Sequence, residues 1–306
     1  MQGQLYSLAQ EFLQYLEAER GCSPLTVRAY QSDLTQMFTH LQQVGSPDDP
    51  SSLTLANSRS WLVVMHRSSL SSASVCRRVS ALKSFCRYLH EHGRIPHNEV
   101  ASLRPPAREK TFPTFLSKDE VASLLRAALS QRGAYTAFRD HAILVVLAFT
   151  GIRRGELLSL RVGDLDLVEG VLRVRYGKGR KSRVIPLVAE VVEAVNDWLA
   201  FRRTKGHDFL FTTVRGNRIY ASRLQVIWKA VLERSGVTRP GVTLHTLRHS
   251  MATLLLQSGK ADLVAIQHLL GHSRLDTTGI YLHVVPTQLR SAVEAHPLAS
   301  GRSRDQ

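Results

Sequence analysis

Four short segments in the second half of the chain hold residue types that could break and rejoin a phosphodiester. They cover residues 150–157, 177–181, 244–249 and 269–281, and they contain arginines, histidines, a lysine between two glycines and a tyrosine. Without a metal, fixed cations must balance the negative charge that develops in a phosphoryl transition state. An arginine suits this task because its guanidinium can hold two oxygens at once. Together the four segments could form one metal-free site for phosphodiester cleavage.

Arg153 and Arg248 are the predicted charge-stabilising cations. Arg153 follows Gly151 by two residues, and Gly151 predicts a helix end after which a turn could hold the arginine rigidly. Arg248 lies three residues after His245, so a helix would place both side chains on one face. That face would then offer an imidazole and a guanidinium to the same phosphate.

Lys178 and Tyr281 are the predicted general acid and nucleophile. The departing 5′-oxygen needs a proton, and Lys178 lies in a Gly-Lys-Gly turn of a predicted hairpin from which it could deliver one. Tyr281 could form a stable ester if a base or nearby cations lower its pKa from about 10. His245 or His272 could assist it, and Lys181 in the same hairpin leaves the identity of the acid open.

The motifs occur in a fixed order that resembles the tyrosine recombinase family, also called the phage integrase family, and most of all its bacterial Xer recombinases. They are Thr-Gly-x-Arg-x-x-Glu, Gly-Lys-Gly, His-x-Leu-Arg-His, Leu-Leu-Gly-His, and a tyrosine nine residues after that histidine. Each motif by itself is common, and the ordered set is specific. Residues 23–30 and 80–85 are similar to the family's N-terminal core-binding domain, so the resemblance covers nearly the whole chain.

This resemblance implies a role for each matching residue and a reaction through a covalent 3′-phosphotyrosyl intermediate. Arg153 and Arg248 would clamp the phosphate, Lys178 would be the general acid, His245 the acid/base partner, His272 a hydrogen-bonding partner of the phosphate and Tyr281 the nucleophile. Glu156 would orient the arginines, and His249 would have a supporting role. The reaction would need no metal, ATP or other cofactor.

The predicted fold is mainly α-helical with a small antiparallel β-sheet. Apolar residues recur at helical spacing over residues 5–16, 27–41, 61–70 and 75–89, which predicts four amphipathic helices. Prolines at 105, 106 and 113 mark a linker. The predicted divisions are a helical DNA-binding domain at 1–103, a linker at 104–116, a catalytic domain at 117–296 and a disordered tail at 297–306. The resemblance implies that the first domain is SAM-like and that the two domains clamp around DNA.

Within the second domain, Ser117 and Glu120 predict a capping box that begins a helix reaching about residue 128. A second helix should run from about 136 to 150, and residues 162–188 should form the sheet and its basic hairpin. Further helices are expected near 188–203, 222–235, 243–258, 263–270 and 277–282. Residues 286–296 look like a short helix, which the resemblance implies would dock on a neighbouring protomer.

The charge balance favours a nucleic-acid partner. Lys and Arg total 40 against 25 Asp and Glu, for a formal charge of +15. The predicted DNA-contacting residues are Arg77, Arg78, Lys83, Arg87, Arg180 and Lys181.

The sequence shows no secretory signal and no apolar stretch long enough to span a membrane. Three cysteines without paired spacing suit a reducing cytoplasm.

Several alternatives stay open at this point. Two histidine pairs, His245 with His249 and His268 with His272, have spacing that could bind zinc. Three carboxylates could bind Mg²⁺, namely Asp164, Asp166 and Glu169. Structural roles are preferred for all of them, and no metal site is predicted.

A DNA-binding protein without catalysis and a type IB topoisomerase are the competing function classes. The resemblance implies a homo- or hetero-tetramer on a specific DNA site. It favours chromosome or plasmid dimer resolution, with integration or excision of a mobile element as the alternative.

Overall fold

The computed structural model describes residues 3–68, 70–106, 115–175, 182–259 and 261–271. The chain divides into two compact units, one ending at residue 111 and the other beginning at residue 112. Each unit buries its own hydrophobic core. The described elements are mostly helices, with a small antiparallel sheet in the second unit, which confirms the predicted fold class.

The first unit contains the four predicted helices, α1 (Gln4–Ala18), α2 (Pro24–Gln43), α3 (Leu55–Arg67) and α4 (Ser72–Glu91). Ser23 caps α2 by accepting a hydrogen bond from the Thr26 N–H at 3.2 Å, and Pro24 occupies the first turn, where its missing N–H leaves no bond unmade. α3 begins at Leu55, earlier than the apolar pattern predicted. The reason is local, because the Thr54 side chain accepts from the Asn57 N–H at 3.1 Å and so caps the helix.

Aromatic side chains form the centre of the first core. The ring centroid of Phe85 on α4 lies 5.4 Å from that of Phe12 on α1 and 6.0 Å from that of Phe38 on α2. Trp61 of α3 is also buried. All four helices therefore contribute to one core, as their amphipathic patterns require.

The second unit contains seven further α-helices within the described residues. They are α5 (Lys118–Leu129), α6 (Ala134–Thr150), α7 (Arg154–Ser159), α8 (Ala189–Phe201), α9 (Ala221–Ser235), α10 (Leu244–Gln257) and α11 (Leu263–Leu270). The predicted capping box is present at the start of α5, where the Glu120 side chain accepts from the Ser117 N–H at 2.7 Å and the Ser117 hydroxyl accepts from the Glu120 N–H at 3.2 Å. α6 is largely buried and ends at Gly151 in the left-handed conformation, as predicted.

A three-stranded antiparallel sheet lies between α7 and α8. Its strands are β1 (Leu165–Asp166), β2 (Val171–Val174) and β3 (Arg183–Pro186), in the spatial order β1-β2-β3, and Leu172 lies opposite Ile185 in the β2–β3 register. Strand β1 was not distinguished in the sequence, which predicted only that residues 162–188 form the sheet. Two residues are too few to give a periodic signal, and their pairing with β2 comes only from the folded sheet.

Helix α7 was not predicted from the sequence either, because six residues are too short for apolar periodicity to stand out. It begins immediately after Arg153, which the sequence placed in a turn. Arg153 is instead the residue that precedes the first turn of α7, and its backbone is extended. The short helix brings Glu156 back toward Arg153, which decides the geometry of the site.

Among the residues that the structure describes, no helix is both long and apolar enough to cross a membrane.

Candidate active site

Gly151 brings three helices of the second unit together at one point. A Cβ atom at this position would lie 2.9 Å from Leu270 Cδ2 of α11 and 3.1 Å from Met251 Sδ of α10. The residue also has a φ of +60°, a conformation that a side chain disfavours. Glycine therefore lets the end of α6 approach α10 and α11 closely. The chain changes direction after Gly151 and reaches Arg153 two residues later.

Arg153 is fixed from two sides and remains partly accessible. Its Nη1 donates to Glu156 Oε1 at 2.9 Å, and its Nη2 donates to the Gly271 carbonyl at 2.8 Å. Its side chain is 28% exposed. Because a guanidinium has five N–H donors, these bonds hold the group in place while leaving donors for a ligand.

Arg248 lies on the same face of α10 as His245, as the spacing predicted, but it is deeply buried. Only 3% of Arg248 is exposed. Its Nη1 donates to the Gly151 carbonyl, and its Nη2 donates to the Leu270 carbonyl at 2.6 Å. The guanidinium therefore joins the end of α6 to the end of α11.

Three successive carbonyls at the end of α11 each accept a hydrogen bond from a different arginine. The Leu269 carbonyl accepts from Arg183 Nε at 2.9 Å, and the Leu270 and Gly271 carbonyls accept from Arg248 and Arg153. The last carbonyls of a helix have no partner within the helix and carry its negative dipole end. They are suited to gather cations, and they fix three guanidiniums around one helix end.

Glu156 is the buried anion of this group. It accepts four hydrogen bonds, from the Arg153 N–H at 2.8 Å, from Arg153 Nη1, and from Arg183 Nη1 and Nη2 at 3.0 and 2.8 Å. Burial by itself raises the pKa of the Glu156 carboxyl, but the bonds from Arg183 and the Arg153 backbone, with both positive charges, outweigh it and hold that pKa below its usual value. Glu156 is therefore ionised at neutral pH and orients both arginines.

The two histidines of α10 are neutral at physiological pH. The rings of His245 and His249 meet edge to face, with centroids 4.6 Å apart. Burial, followed by the charges of Arg248 and Arg153, lowers the pKa of His245. Burial, His245 and Arg248 lower the pKa of His249 to about 4. A neutral His245 can donate or accept a proton without adding to the charge of the site.

Arg153, Arg248 and His245 line one cleft of about 480 Å³. Its wall also includes the exposed side chain of Arg154 from α7 and that of Gln225 from α9. The structure thus brings together three of the six predicted catalytic residues, with Glu156 behind them. The other three, Lys178, His272 and Tyr281, lie outside the described residues, as do Arg180 and Lys181.

Sequence reasoning missed Arg183, although it contacts both Glu156 and α11. The residue begins β3 and its side chain is only 12% exposed. The available signal was weak, since a basic residue two positions after Lys181 is indistinguishable from the general charge of a basic hairpin. Its buried anionic partner lies 27 residues earlier in the chain.

The predicted DNA-contacting residues Arg77, Arg78, Lys83 and Arg87 all lie on α4 of the first unit. Arg77 forms an ion pair with Asp33, which is 1% exposed, and Arg78 Nε lies 3.9 Å from the same carboxylate. Arg77 and Arg87 are exposed, whereas Arg78 and Lys83 are half-buried. DNA contact by these residues stays a prediction.

No group of three potential metal ligands occurs within the described parts of the chain. Asp164 accepts a bond from the Arg161 N–H at 2.9 Å and pairs with Arg175. Asp166 accepts from the Glu169 N–H at 3.0 Å. These carboxylates organise the turns around β1.

Comparison with known proteins identifies the family. The model of the phage integrase family matches residues 114–288, and that of the phage integrase N-terminal SAM-like domain matches residues 9–93. Tyrosine recombinase XerD of Listeria monocytogenes is 33% identical over 299 residues, covering 95% of this chain and 99% of the relative. Tyrosine recombinase XerC of Pelotomaculum thermopropionicum is 35% identical over 311 residues, covering 97% and 100%. The chain belongs to the phage integrase family and is a tyrosine recombinase, an enzyme of site-specific recombination.

Solved structures agree with this assignment. The crystal structure of XerA recombinase is 29% identical with a TM-score of 0.52, and the match covers 95% of this chain and 98% of that one. The integrase of transposon Tn1549 in complex with transposon right-end DNA has a TM-score of 0.77 at 19% identity, covering 94% and 98%. At that identity the second likeness concerns the fold alone.

Proposed function

We propose that this protein cuts a specific site in double-stranded DNA with Tyr281 and rejoins the strand to a new partner. The observation that carries the proposal is the placement of Arg153, Arg248 and His245 on one cleft, with Glu156 holding Arg153 from behind. Two fixed guanidiniums in a partly buried site can stabilise the charge that a phosphoryl transition state develops. Their geometry thus supports the roles that the family resemblance implies.

In the proposed cleavage step, the Tyr281 oxygen attacks the scissile phosphorus and a phosphotyrosyl bond replaces the bond to the 5′-oxygen. The proton lost by Tyr281 passes to a histidine, for which His245 and His272 are the candidates. Lys178, or Lys181 in the same segment, gives a proton to the departing 5′-oxygen. His249 supports His245 through their edge-to-face contact. Rejoining reverses these transfers with a different 5′-hydroxyl, and no metal or ATP takes part.

DNA binding by the proposed enzyme would use both units as a clamp. The formal charge of +15 supports a polyanionic partner. On α4, Arg77, Arg78, Lys83 and Arg87 are the proposed contacts, joined by Arg180 and Lys181 of the second unit. Binding through phosphates should weaken steeply with salt, with a log-log slope of about −0.9 per contacted phosphate.

The proposed assembly is a tetramer on DNA, because exchange between two duplexes requires four cleavage sites. It contains either four copies of this chain or two copies of this chain together with two copies of a paralogue. We place its role with Xer-type resolution of chromosome or plasmid dimers in the cytoplasm, supported by relatives named XerC and XerD at 33–36% identity. The domain boundaries at 1–103, 117–296 and 297–306 belong to the same proposal.

The decisive test traps the covalent intermediate in cells. The wild-type protein and Tyr281→Phe would be expressed in bacteria and isolated under denaturing conditions, and any attached DNA would be sequenced. We expect only the wild type to retain DNA, with 3′ ends at a defined site, because phenylalanine has no hydroxyl to form the ester. A site on the chromosome or a plasmid would favour dimer resolution, and the ends of a mobile element would favour integration or excision.

Two outcomes would contradict the proposal. Equal retention of DNA by both proteins would mean that Tyr281 is not the nucleophile. The cells should also contain the recombination sites of related recombinases. Retention of DNA by neither protein in such cells would favour DNA binding without catalysis.

A further inference from the structure

Arg183 lies at the junction of three parts of the second unit. Its Nη1 and Nη2 donate to the two oxygens of Glu156 on α7, and its Nε donates to the Leu269 carbonyl of α11. The residue itself begins β3, directly after the segment that contains Lys178. One side chain thus links the strand that follows the lysine segment to α7 and to the end of α11.

The contact between Arg183 and Glu156 changes the charge that Arg153 can offer. Glu156 carries one negative charge and lies between two guanidiniums, so the three groups sum to one positive charge. Without Arg183, the carboxylate would be balanced by Arg153 alone, and the pair would be neutral. In a site of low dielectric such a change matters, because charge there is poorly screened. Arg183 therefore leaves the charge of Arg153 available for a phosphate.

The contact between Arg183 and the Leu269 carbonyl has a second consequence. It completes the row of three arginines along the last carbonyls of α11. A Cβ atom on Gly271 would come within 3.1 Å of Arg183 Nη1, so the guanidinium packs closely on the helix end. His272 follows Gly271 directly, so Arg183 packs against the residue from which the chain enters the proposed phosphate-contacting segment.

We infer that Arg183 is a positioning residue for strand cleavage, which balances Glu156 so that Arg153 can act on the scissile phosphate. This inference rests on the proposed function. It assigns Arg183 no contact with DNA. The residue acts through Glu156 and through the end of α11.

The test measures single-turnover formation of the Tyr281–DNA adduct on a nicked suicide duplex that carries the site recovered from the trapping experiment. Arg183→Gln should form the adduct about 100-fold more slowly, as expected when a small displacement moves a site group out of the reactive geometry. Affinity for the duplex, measured by gel shift, should stay at the wild-type value. Arg173→Gln is the matched control, because Arg173 lies on the neighbouring strand β2, is 54% exposed and pairs only loosely with Asp166 at 3.7 Å.

A double variant separates the charge role from a general loss of structure. Glu156→Gln removes the negative charge that Arg183→Gln leaves uncompensated, so the double variant should form the adduct faster than Arg183→Gln alone. Thermal unfolding of every variant shows whether it is folded. If Arg183→Gln does not fold, Arg183→Lys takes its place, because a lysine cannot hold both Glu156 oxygens and the Leu269 carbonyl together.

Three results would overturn the inference. Adduct formation by Arg183→Gln at the rate of Arg173→Gln would exclude a role in cleavage. A double variant no faster than Arg183→Gln would exclude the inferred role of Arg183 in balancing the charge of Glu156. A wild-type protein without a Tyr281 adduct would refute the proposed function and this inference with it, whereas the first two results leave the proposed function intact.

Discussion

Arg153 and Arg248 carry the same charge in different environments. Arg153 is 28% exposed and bonds Glu156 and the Gly271 carbonyl. Only 3% of Arg248 is exposed, and its nitrogens bond the carbonyls of Gly151 and Leu270. A buried guanidinium that loses such bonds also leaves the carbonyls unpaired. The two residues should therefore respond differently to the same substitution.

Replacement of each arginine by lysine tests this difference. We expect Arg248→Lys to lower the free energy of unfolding by roughly 3 kcal/mol, since one ammonium cannot reach both carbonyls. Arg153→Lys should lower it by less, about 1 kcal/mol, because Arg153 is partly exposed and a lysine can keep one contact with Glu156. Both should slow adduct formation, by about 100-fold or more, because the fork that holds two phosphate oxygens is lost. Urea denaturation and single-turnover cleavage measure the two effects, and equal stability loss in both variants would contradict the burial argument.

At the scale of elements, the site depends on how closely α6, α10 and α11 approach at Gly151. The left-handed turn at this glycine ends α6 and sends its carbonyl toward Arg248. Gly236 at the end of α9 has the same kind of backbone conformation, with a φ of +73°, but a Cβ atom there would meet nothing within 4 Å. A comparison of the two positions therefore separates the energetic cost of left-handed backbone from the cost of steric crowding.

Alanine at each position provides the comparison. Gly236→Ala should lower the free energy of unfolding by about 1 to 2 kcal/mol, the strain of a left-handed alanine. Gly151→Ala should cost about 1 to 3 kcal/mol more, because the added methyl group displaces Leu270 and Met251. It should also slow cleavage, whereas Gly236→Ala should not. Chemical denaturation gives the stabilities, and equal losses would show that the close packing at Gly151 has no energetic weight.

At the scale of the whole molecule, the two units have separate cores. Phe85 in the first unit is fully buried and contacts aromatic rings of α1 and α2, all within that unit. Since the buried contacts of this core come from residues 5–103, the first unit has what it needs to fold by itself.

Expression of residues 1–106 alone tests that independence. The fragment should be helical by circular dichroism and should unfold cooperatively. Phe85→Ala in the same fragment should lower its free energy of unfolding by about 3 to 5 kcal/mol, owing to the cavity left in the core. A fragment that unfolds gradually, with no effect of Phe85→Ala, would show that the predicted domain boundary is wrong.

Short-range features of this chain followed from the sequence by itself. The capping box at Ser117, the left-handed end of α6 at Gly151 and the shared helix face of His245 and Arg248 each depend on residues within about one helical turn. The ordered motifs also identified the family. For the three local features the physical cause lies within a few residues, so spacing alone was enough.

Only the tertiary structure decided how those residues act together. No pattern in the sequence indicated α7 or β1, because elements this short lack periodicity. Nor did any spacing reveal that Arg183 shares Glu156 with Arg153, since Arg183 lies 27 positions after Glu156. Nor could spacing show that three arginines meet the last carbonyls of α11, up to 118 residues away along the chain. Local order follows from local chemistry, whereas the balance of charges around Glu156 exists only once distant elements have packed together.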